Sequence, residues 1–215
     1  MIDEVTILGR GQSLEKLDTF SSASDFVITC NCFWDYPYTT TPYYKNPIIS
    51  KFLKNKRIAI VATLCNHTGS DVSGYEKTFD IVDKYNTCFS SGSKRRGQPL
   101  SGFSLMPDSC LNVYNKIGES KIKTQGDYIP GTLAYAVILA IAHYKFKKVN
   151  IFGLDFYESD YYIKQLHDYS EESSEKEIVQ NKIDFSNFFN YFKDVEFCVH
   201  TLANFNPNAQ NVSTA

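Results

Sequence analysis

Three stretches of this chain carry side chains able to do chemistry, and each follows a short apolar run that reads as a buried strand. Gly9-Arg10-Gly11-Gln12-Ser13 comes directly after Glu4 to Leu8, and Ser13 can cap a helix that begins at Leu14. A strand, a glycine turn and a helix N-terminus make a cradle for an anion, because glycine lets the backbone approach a phosphate and the helix dipole favours negative charge. The third glycine of a dinucleotide fingerprint and the Lys-Ser/Thr pair of a P-loop are missing, so an ordinary tight turn stays open as the alternative. Asn31 ends the run Phe26 to Asn31, beside Phe33-Trp34-Asp35-Tyr36. Its amide can read a base or ribose edge, or satisfy the backbone of a turn. The richest stretch follows Val149 to Phe152 and brings Gly153, Asp155, Tyr157, Tyr161, Tyr162 and His167 together. Open α/β sheets place their chemistry beyond the carboxyl ends of their strands, which is where all three stretches fall.

The elements that must position these groups are legible from periodicity. Gly131 and Thr132 open the run Leu133 to His143, which is Ala-rich and apolar on nearly every face, so it reads as a helix covered on several sides. Val149 to Phe152 is short and β-branched, as a central parallel strand is. Arg57 to Ala62 and Val195 to Val199 read the same way. Glu171 to Phe192 predicts a long helix with Ile178, Ile183, Phe185, Phe188, Phe189 and Phe192 on its apolar face. Pro37 to Pro47 reads as loop. His67, after the third strand, is first a polar loop residue and only second a catalytic candidate. Residues 88–108 are rich in Gly, Ser and Pro and contain Lys94-Arg95-Arg96; they read as a flexible loop, with a lid over a phosphorylated donor as the functional version. Strands alternating with helices, without hairpin turns, predict an α/β fold: one Rossmann-like domain over residues 1–205 with a mostly parallel central sheet, then a polar tail at 206–215 that frays.

Composition narrows the classes. A net charge of −2 gives no nucleic-acid footprint. The N-terminal residues carry acids and lack a signal-peptide core, and no run reaches the ~20 apolar residues of a membrane span. Among the six cysteines, Cys30 and Cys32 stand two apart on a strand end and point to opposite faces, a poor metal pair. They read as reduced thiols of a cytoplasmic protein.

Taken in order, the motifs resemble those of the bacterial sialyltransferases of glycosyltransferase family 42. Gly9-Arg10-Gly11-Gln12-Ser13-Leu14 resembles that family's Gly-Asn-Gly-Pro-Ser-Leu, and Cys30-Asn31-Cys32-Phe33 resembles its Arg-Cys-Asn-Gln-Phe. Gly131-Thr132 with the Ala-rich helix resembles its Ser-Gly helix, and Phe152-Gly153-Leu154-Asp155-Phe156-Tyr157 its Ser-Gly-Ile-Asp-Phe-Tyr. Pro130-Gly131-Thr132-Leu133 is also similar to the small sialylmotif of the animal enzymes, and His167 to Glu172 has the His-x4-Glu spacing of their very small motif. The resemblance spans about residues 4 to 205.

The resemblance implies a GT-A-type domain that takes CMP-sialic acid as donor substrate, needs no cofactor or metal, and transfers the sugar to a hydroxyl of a glycan acceptor. Tyr157 and a second tyrosine, Tyr162 ahead of Tyr161, would hydrogen-bond the departing phosphate, and His167 would be the general base. Gly9, Arg10, Gly11, Ser13, Asn31, Gly131, Thr132 and Gly153 would form the donor pocket, with Asp155 ordering the loop. The absence of Asp-x-Asp agrees with a monophosphate leaving group served by hydroxyl donors. A homo-oligomer stays open as the assembly. Arg10 replaces the family's Asn, Lys123 to Gly126 lacks its Arg-Ile-Thr-Ser, the link from Tyr162 to His167 is short, and a basic C-terminal tail is missing. Two alternatives remain: a pyrophosphokinase-like enzyme using ATP and Mg²⁺, held by Asp155, Glu158 and Asp160, or an inactive nucleotide-binding protein of the same fold.

Overall fold

Runs such as Glu4–Leu8 and Phe26–Cys30 are apolar at successive positions, so they suit strands covered on both faces. The computed structural model, which describes residues 3–30, 43–63, 82–87, 103–119, 130–163 and 173–215, places them at the middle of a sheet. Its strands are β1 (Glu4–Leu8), β2 (Phe26–Cys30), β3 (Arg57–Thr63), β4 (Val82–Thr87), β5 (Ser104–Leu105), β6 (Lys148–Phe152), β7 (Glu196–His200) and β8 (Val212–Thr214). They run in the order β5-β4-β3-β2-β1-β6-β7-β8, and each neighbouring pair is parallel. The chain therefore builds outward from β1 to one edge, then returns to β1's other side with β6. That reversal makes β1 and β6 the switch point, where crevices open above the carboxyl ends. Ile7 lies opposite Ile151 and Leu8 opposite Phe152, which brings the turns after both strands side by side.

Helices cover both faces. On one, α2 (Asp108–Glu119), α3 (Gly131–Ile138) and α4 (Glu175–Tyr191) pack Cys110, Val137 and Phe189 among others against Val5, Ile28, Ile151 and Phe197. α3 is buried all round, as its composition predicts, and runs on as a π-helical turn, Leu139–His143. On the other face, a 3₁₀ helix (Gln12–Asp18) and α1 (Pro47–Leu53) bring Leu14, Leu17, Ile49 and Leu53 onto Leu8, Val27 and Ile60. Pro47, expected to end a loop, is instead the first residue of α1; Asn46 Oδ1 accepts from Ile48 N at 3.0 Å, and proline lacks only an N–H that has no helical partner there.

Four other expectations are corrected. The long helix begins at Glu175, not Glu171, because Ser174 and Glu177 form a reciprocal capping box. Ile183 lies 48% exposed, outside the helix's apolar stripe. The polar tail does not fray: it supplies β8, and Asn211 Nδ2 shares its protons among the carbonyls of Phe189, Phe192 and Val195, at 3.2, 3.0 and 2.9 Å, where α4 ends. The final part of the expected 88–108 loop is ordered as well, with Phe103 and Met106 buried around β5; residues 88–102, including Lys94-Arg95-Arg96, lie outside the described residues.

Candidate functional site

The switch-point turns are locked together before any ligand is considered. Gly9 N donates to Phe152 O at 2.7 Å and Gly11 N to Gly153 O at 3.1 Å. A Cβ on Gly9 would stand 2.5 Å from the Gly153 oxygen, and one on Gly153 would stand 2.6 Å from the Gly9 carbonyl carbon. These two glycines are thus required by backbone meeting backbone. Gly11 is required by a carboxylate: its Cβ would lie 2.4 Å from Asp155 Oδ2.

Asp155, only 3% exposed, is the hub of this region. Its Oδ2 accepts from Ser13 N at 2.7 Å, and its Oδ1 accepts from Thr201 Oγ1 and Leu202 N, each at 3.0 Å. One carboxylate thereby ties the ends of β1, β6 and β7. The cradle expected after β1 is accordingly filled by the protein's own anion. Ser13 is not the helix cap: Gly11 holds that position without a side-chain bond, and the buried Ser13 Oγ accepts from Gly153 N at 2.9 Å.

An open cleft of about 240 Å³ lies alongside, lined by Gly9, Arg10, Gly11, Gly131, Thr132, Gly153, Asp155, Tyr157 and Tyr161 of the expected donor site. Pro130, Leu133 and these neighbours put the N-terminus of α3 on its wall, and no acidic side chain occupies that helix's first turn. Gly131 adopts φ +72°, and a Cβ there would meet nothing within 4 Å. Its glycine is set by conformation and faces open space.

The opposite wall comes from the turn after β6. Phe156 (φ 55°) and Tyr157 (φ 64°) are successive left-handed residues, each about 1–3 kcal/mol above relaxed backbone. The conformation is held because Phe156 is buried against Phe185 and Phe205, with ring centroids 5.7 and 4.6 Å away. It turns Tyr157 outward into the cleft, where it remains 41% exposed. Of the two tyrosines left as alternatives, the one on the cleft is Tyr161, which bridges Gly11 and lies under the Arg10 guanidinium, 4.8 Å from its ring centroid. Tyr162 packs with the apolar cluster on the far face, while its N–H donates to Arg10 O at 2.9 Å. The two tyrosines thus lie on different sides, as alternate residues of an extended segment do.

Sequence reasoning missed several cleft residues. Asn181 and Phe185, one turn apart on α4, reach the same wall; Asn181 interrupts the otherwise apolar stripe Ile178, Phe185, Phe188, Phe192, a mark visible in the sequence. Ser159 lines the cleft too, and its buried Oγ has no hydrogen-bond partner. Cys30 forms part of the floor; burial pushes its thiol up to about 12, against a smaller downward pull from Arg10. His167, Asn31, His67 and Cys32 lie outside the described residues.

The carboxylates proposed for Mg²⁺ do not converge. Asp155 is held as above, and Glu158 pairs with Lys182 and accepts from Asn204 N at 3.0 Å. Among the described residues no group of three or more His, Cys, Asp or Glu side chains is placed to hold a metal ion. None of the described helices is long and apolar enough to cross a membrane.

No protein-family model matches the chain, and no curated protein does. Solved structures do. The sialyltransferase CstII from Campylobacter jejuni in complex with cytidine-5′-monophosphate is similar over 99% of this chain and 84% of its own, at 18% identity and a TM-score of 0.54. A structure of sialyltransferase CST-II with trisaccharide acceptor and CMP is similar over 99% of this chain and 86% of its own, at 17% identity and a TM-score of 0.54. The resemblance to bacterial sialyltransferases is thus one of fold, a GT-A-type α/β domain spanning nearly the whole chain.

Proposed function

We propose that this protein is a glycosyltransferase that moves sialic acid from CMP-sialic acid to a hydroxyl of a glycan. The observation that carries the reading is the open cleft at the β1/β6 switch point, walled by the α3 N-terminus and by Tyr157 and Tyr161. Its support from outside is a fold similar, over 99% of this chain, to that of sialyltransferases whose structures hold CMP.

In this reading the donor phosphate sits at the first turn of α3, where backbone N–H groups and the helix dipole favour an anion. Gly131 leaves room for it. The bond between the anomeric carbon and the phosphate oxygen breaks, and its electron pair leaves with CMP. The hydroxyls of Tyr157 and Tyr161 donate to that phosphate as its charge grows, which stabilises the transition state more than the bound donor. The acceptor oxygen forms the new bond to the anomeric carbon, and its proton goes to His167, an imidazole whose ordinary pKa of about 6.5 leaves it mostly neutral at pH 7. Asn31 contacts the cytosine or ribose. Asp155 takes no part in the reaction; it holds the turns in register. Hydroxyl and backbone donors do the neutralising here, so transfer runs without a divalent ion.

The test is thermal stabilisation by cytidine nucleotides, followed by an acceptor screen. A ligand at ~100 times its dissociation constant adds about 2.7 kcal/mol to the fold. CMP and CMP-sialic acid should raise the melting temperature equally with and without EDTA. His167→Ala should abolish transfer and keep CMP affinity, while Tyr157→Phe should lower turnover more than binding. A shift with ATP and Mg²⁺ and none with CMP would overturn the reading.

A further inference from the structure

Among the described residues, two buried side-chain polar atoms lack a hydrogen-bond partner. Asn150 Nδ2 lies inside the sheet on β6, whereas Ser159 Oγ lies on the wall of the cleft. Buried hydroxyls are nearly always bonded, so an orphan on a cleft wall marks a bond left for a ligand. The turn that carries this hydroxyl is held in place. Glu158 N donates to Asp155 O at 2.9 Å, and the Glu158 carboxylate pairs with Lys182 and accepts from Asn204 N at 3.0 Å. Lys182 Nζ also donates to Asn204 O at 2.7 Å. This clamp fastens the turn to α4 at the residue next to Asn181, which lines the cleft as Phe185 does one turn further on. A hydroxyl, a carboxamide and a phenyl ring therefore share one side of the cleft, with no formal charge among them.

Resting on the donor reading above, we infer that Ser159, Asn181 and Phe185 read the acylamido group of the transferred sugar and so set which CMP-activated acid is accepted. The phosphate is served from α3 and by Tyr157 and Tyr161. Ser159 stands between those two tyrosines in the chain, and so beside what the phosphate carries. The nucleoside lies toward the floor, where Cys30 ends β2, and leaves the α4 side to the sugar. A carboxamide and a hydroxyl can each donate and accept, which suits the N–H and C=O of an acylamido group. The Phe185 ring supplies apolar surface for its methyl. A sugar with a hydroxyl in that place would leave Asn181 short of a partner and the ring uncovered, and a site built for hydrogen bonds rejects an analogue that lacks them.

The experiment is calorimetric titration of the full chain, without acceptor, with three ligands: CMP, CMP-sialic acid in its N-acetyl form, and the analogue with a hydroxyl in place of the acetamido group. Wild type should favour the acetamido donor over the hydroxyl analogue by at least ~10-fold. Ser159→Ala and Asn181→Ala should each bind the acetamido donor ~10-fold more weakly, bind CMP as before, and bring the two donors closer to equal affinity. Asn181→Asp, which keeps the shape and removes the amide donor, should repeat the pattern if the alanine variant folds poorly. Ser159→Ala should also keep or raise the melting temperature without ligand, since it removes a buried hydroxyl that bonds nothing; a structural serine would lower it. An unchanged preference, an equal loss for both donors, or an equal loss for CMP overturns the inference while leaving the transferase reading intact. A raised acceptor KM with unchanged donor affinity overturns it too, and gives this wall to the acceptor. If wild type binds none of the three, the transferase reading fails and this inference falls with it.

Discussion

Two glycine turns in this molecule lead into helices from the sheet's carboxyl side, and they do opposite things. After β1, Gly9 and Gly11 open a 3₁₀ helix, but the space in front of it is filled by the Gly153 carbonyl and the Asp155 carboxylate. Before α3, Gly131 has a left-handed backbone and open space where a side chain would stand. The difference teaches that a glycine turn is a binding site only when its vacancy is not already taken by the fold. The first turn borders the cleft but its glycines serve an internal joint, while Gly131 of the second faces open space.

Mutation should separate the two sharply. Gly153→Ala attacks the joint twice, through its φ of +74° and through a Cβ 2.6 Å from the Gly9 carbonyl carbon. Left-handed strain of ~1–2 kcal/mol and overpacking of ~1–3 kcal/mol predict a loss of about 3 kcal/mol or more, read as a lower denaturation midpoint. Gly9→Ala should come close to it through crowding alone. Near-wild-type stability in both would mean that the turns are not joined as described.

Asp155→Asn should cost somewhat less, about 2 kcal/mol, because the amide keeps one acceptor and turns an NH₂ toward a group that itself donates. The same variant tests the comparison: CMP affinity should fall only as far as the cleft wall shifts, far less than it does in a variant that removes a ligand contact. Gly131→Ala should invert that ratio. The strain is ~1 kcal/mol and nothing is struck, so the fold survives. Nucleotide binding should nevertheless drop, since the added methyl group enters the space assigned to the phosphate. A Gly131→Ala protein that binds CMP normally would move that phosphate elsewhere.

The legibility of these regions in the sequence differs for a physical reason. The strands at 4–8, 26–30, 57–63 and 148–152 and the buried α3 were legible, because burial on both faces demands continuous apolar runs. The edge strands β5 and β8, and β4 beside β5, were not. Val82–Thr87 (Val-Asp-Lys-Tyr-Asn-Thr) is mostly polar with no apolar run, Ser104–Leu105 is only two residues long, and Val212–Thr214 takes its order from Asn211 and the neighbouring β7 rather than from its own composition. Of the stretch singled out by residue type, Gly153, Asp155, Tyr157 and Tyr161 line the cleft, but their contacts within it were not legible. Whether a glycine meets a carbonyl or open space, and which of Tyr161 and Tyr162 faces inward, depends on contacts between segments 140 residues apart in the chain, as in the Ser13–Gly153 bond. Local patterns carry no information about such partners.

The smallest expected effect concerns the support of the joint from β7. His200 precedes Thr201, one of the Asp155 donors, and its ring stacks on Phe152 with centroids 4.0 Å apart and planes 4° from parallel. Phe20 covers its edge at 5.0 Å, Cys198 Sγ lies 3.4 Å from Nε2, and Lys16, bound to the Thr201 carbonyl, is the nearby cation. Burial first, and the Lys16 charge second, lower its pKa to about 4. The unfolded imidazole titrates near ~6.5, so between these values the unfolded chain binds the extra proton and stability falls as pH drops. Above that window the contribution is complete, and below about 4 it is lost. His200→Phe keeps the stack and removes the proton site. Its melting temperature should therefore decline less than that of wild type from pH 7 to 4.5, by a difference on the order of 2 °C for a partly exposed ring. Parallel declines in the two proteins would show that acid loosens the joint through other groups, and His200 would then be a packing residue alone.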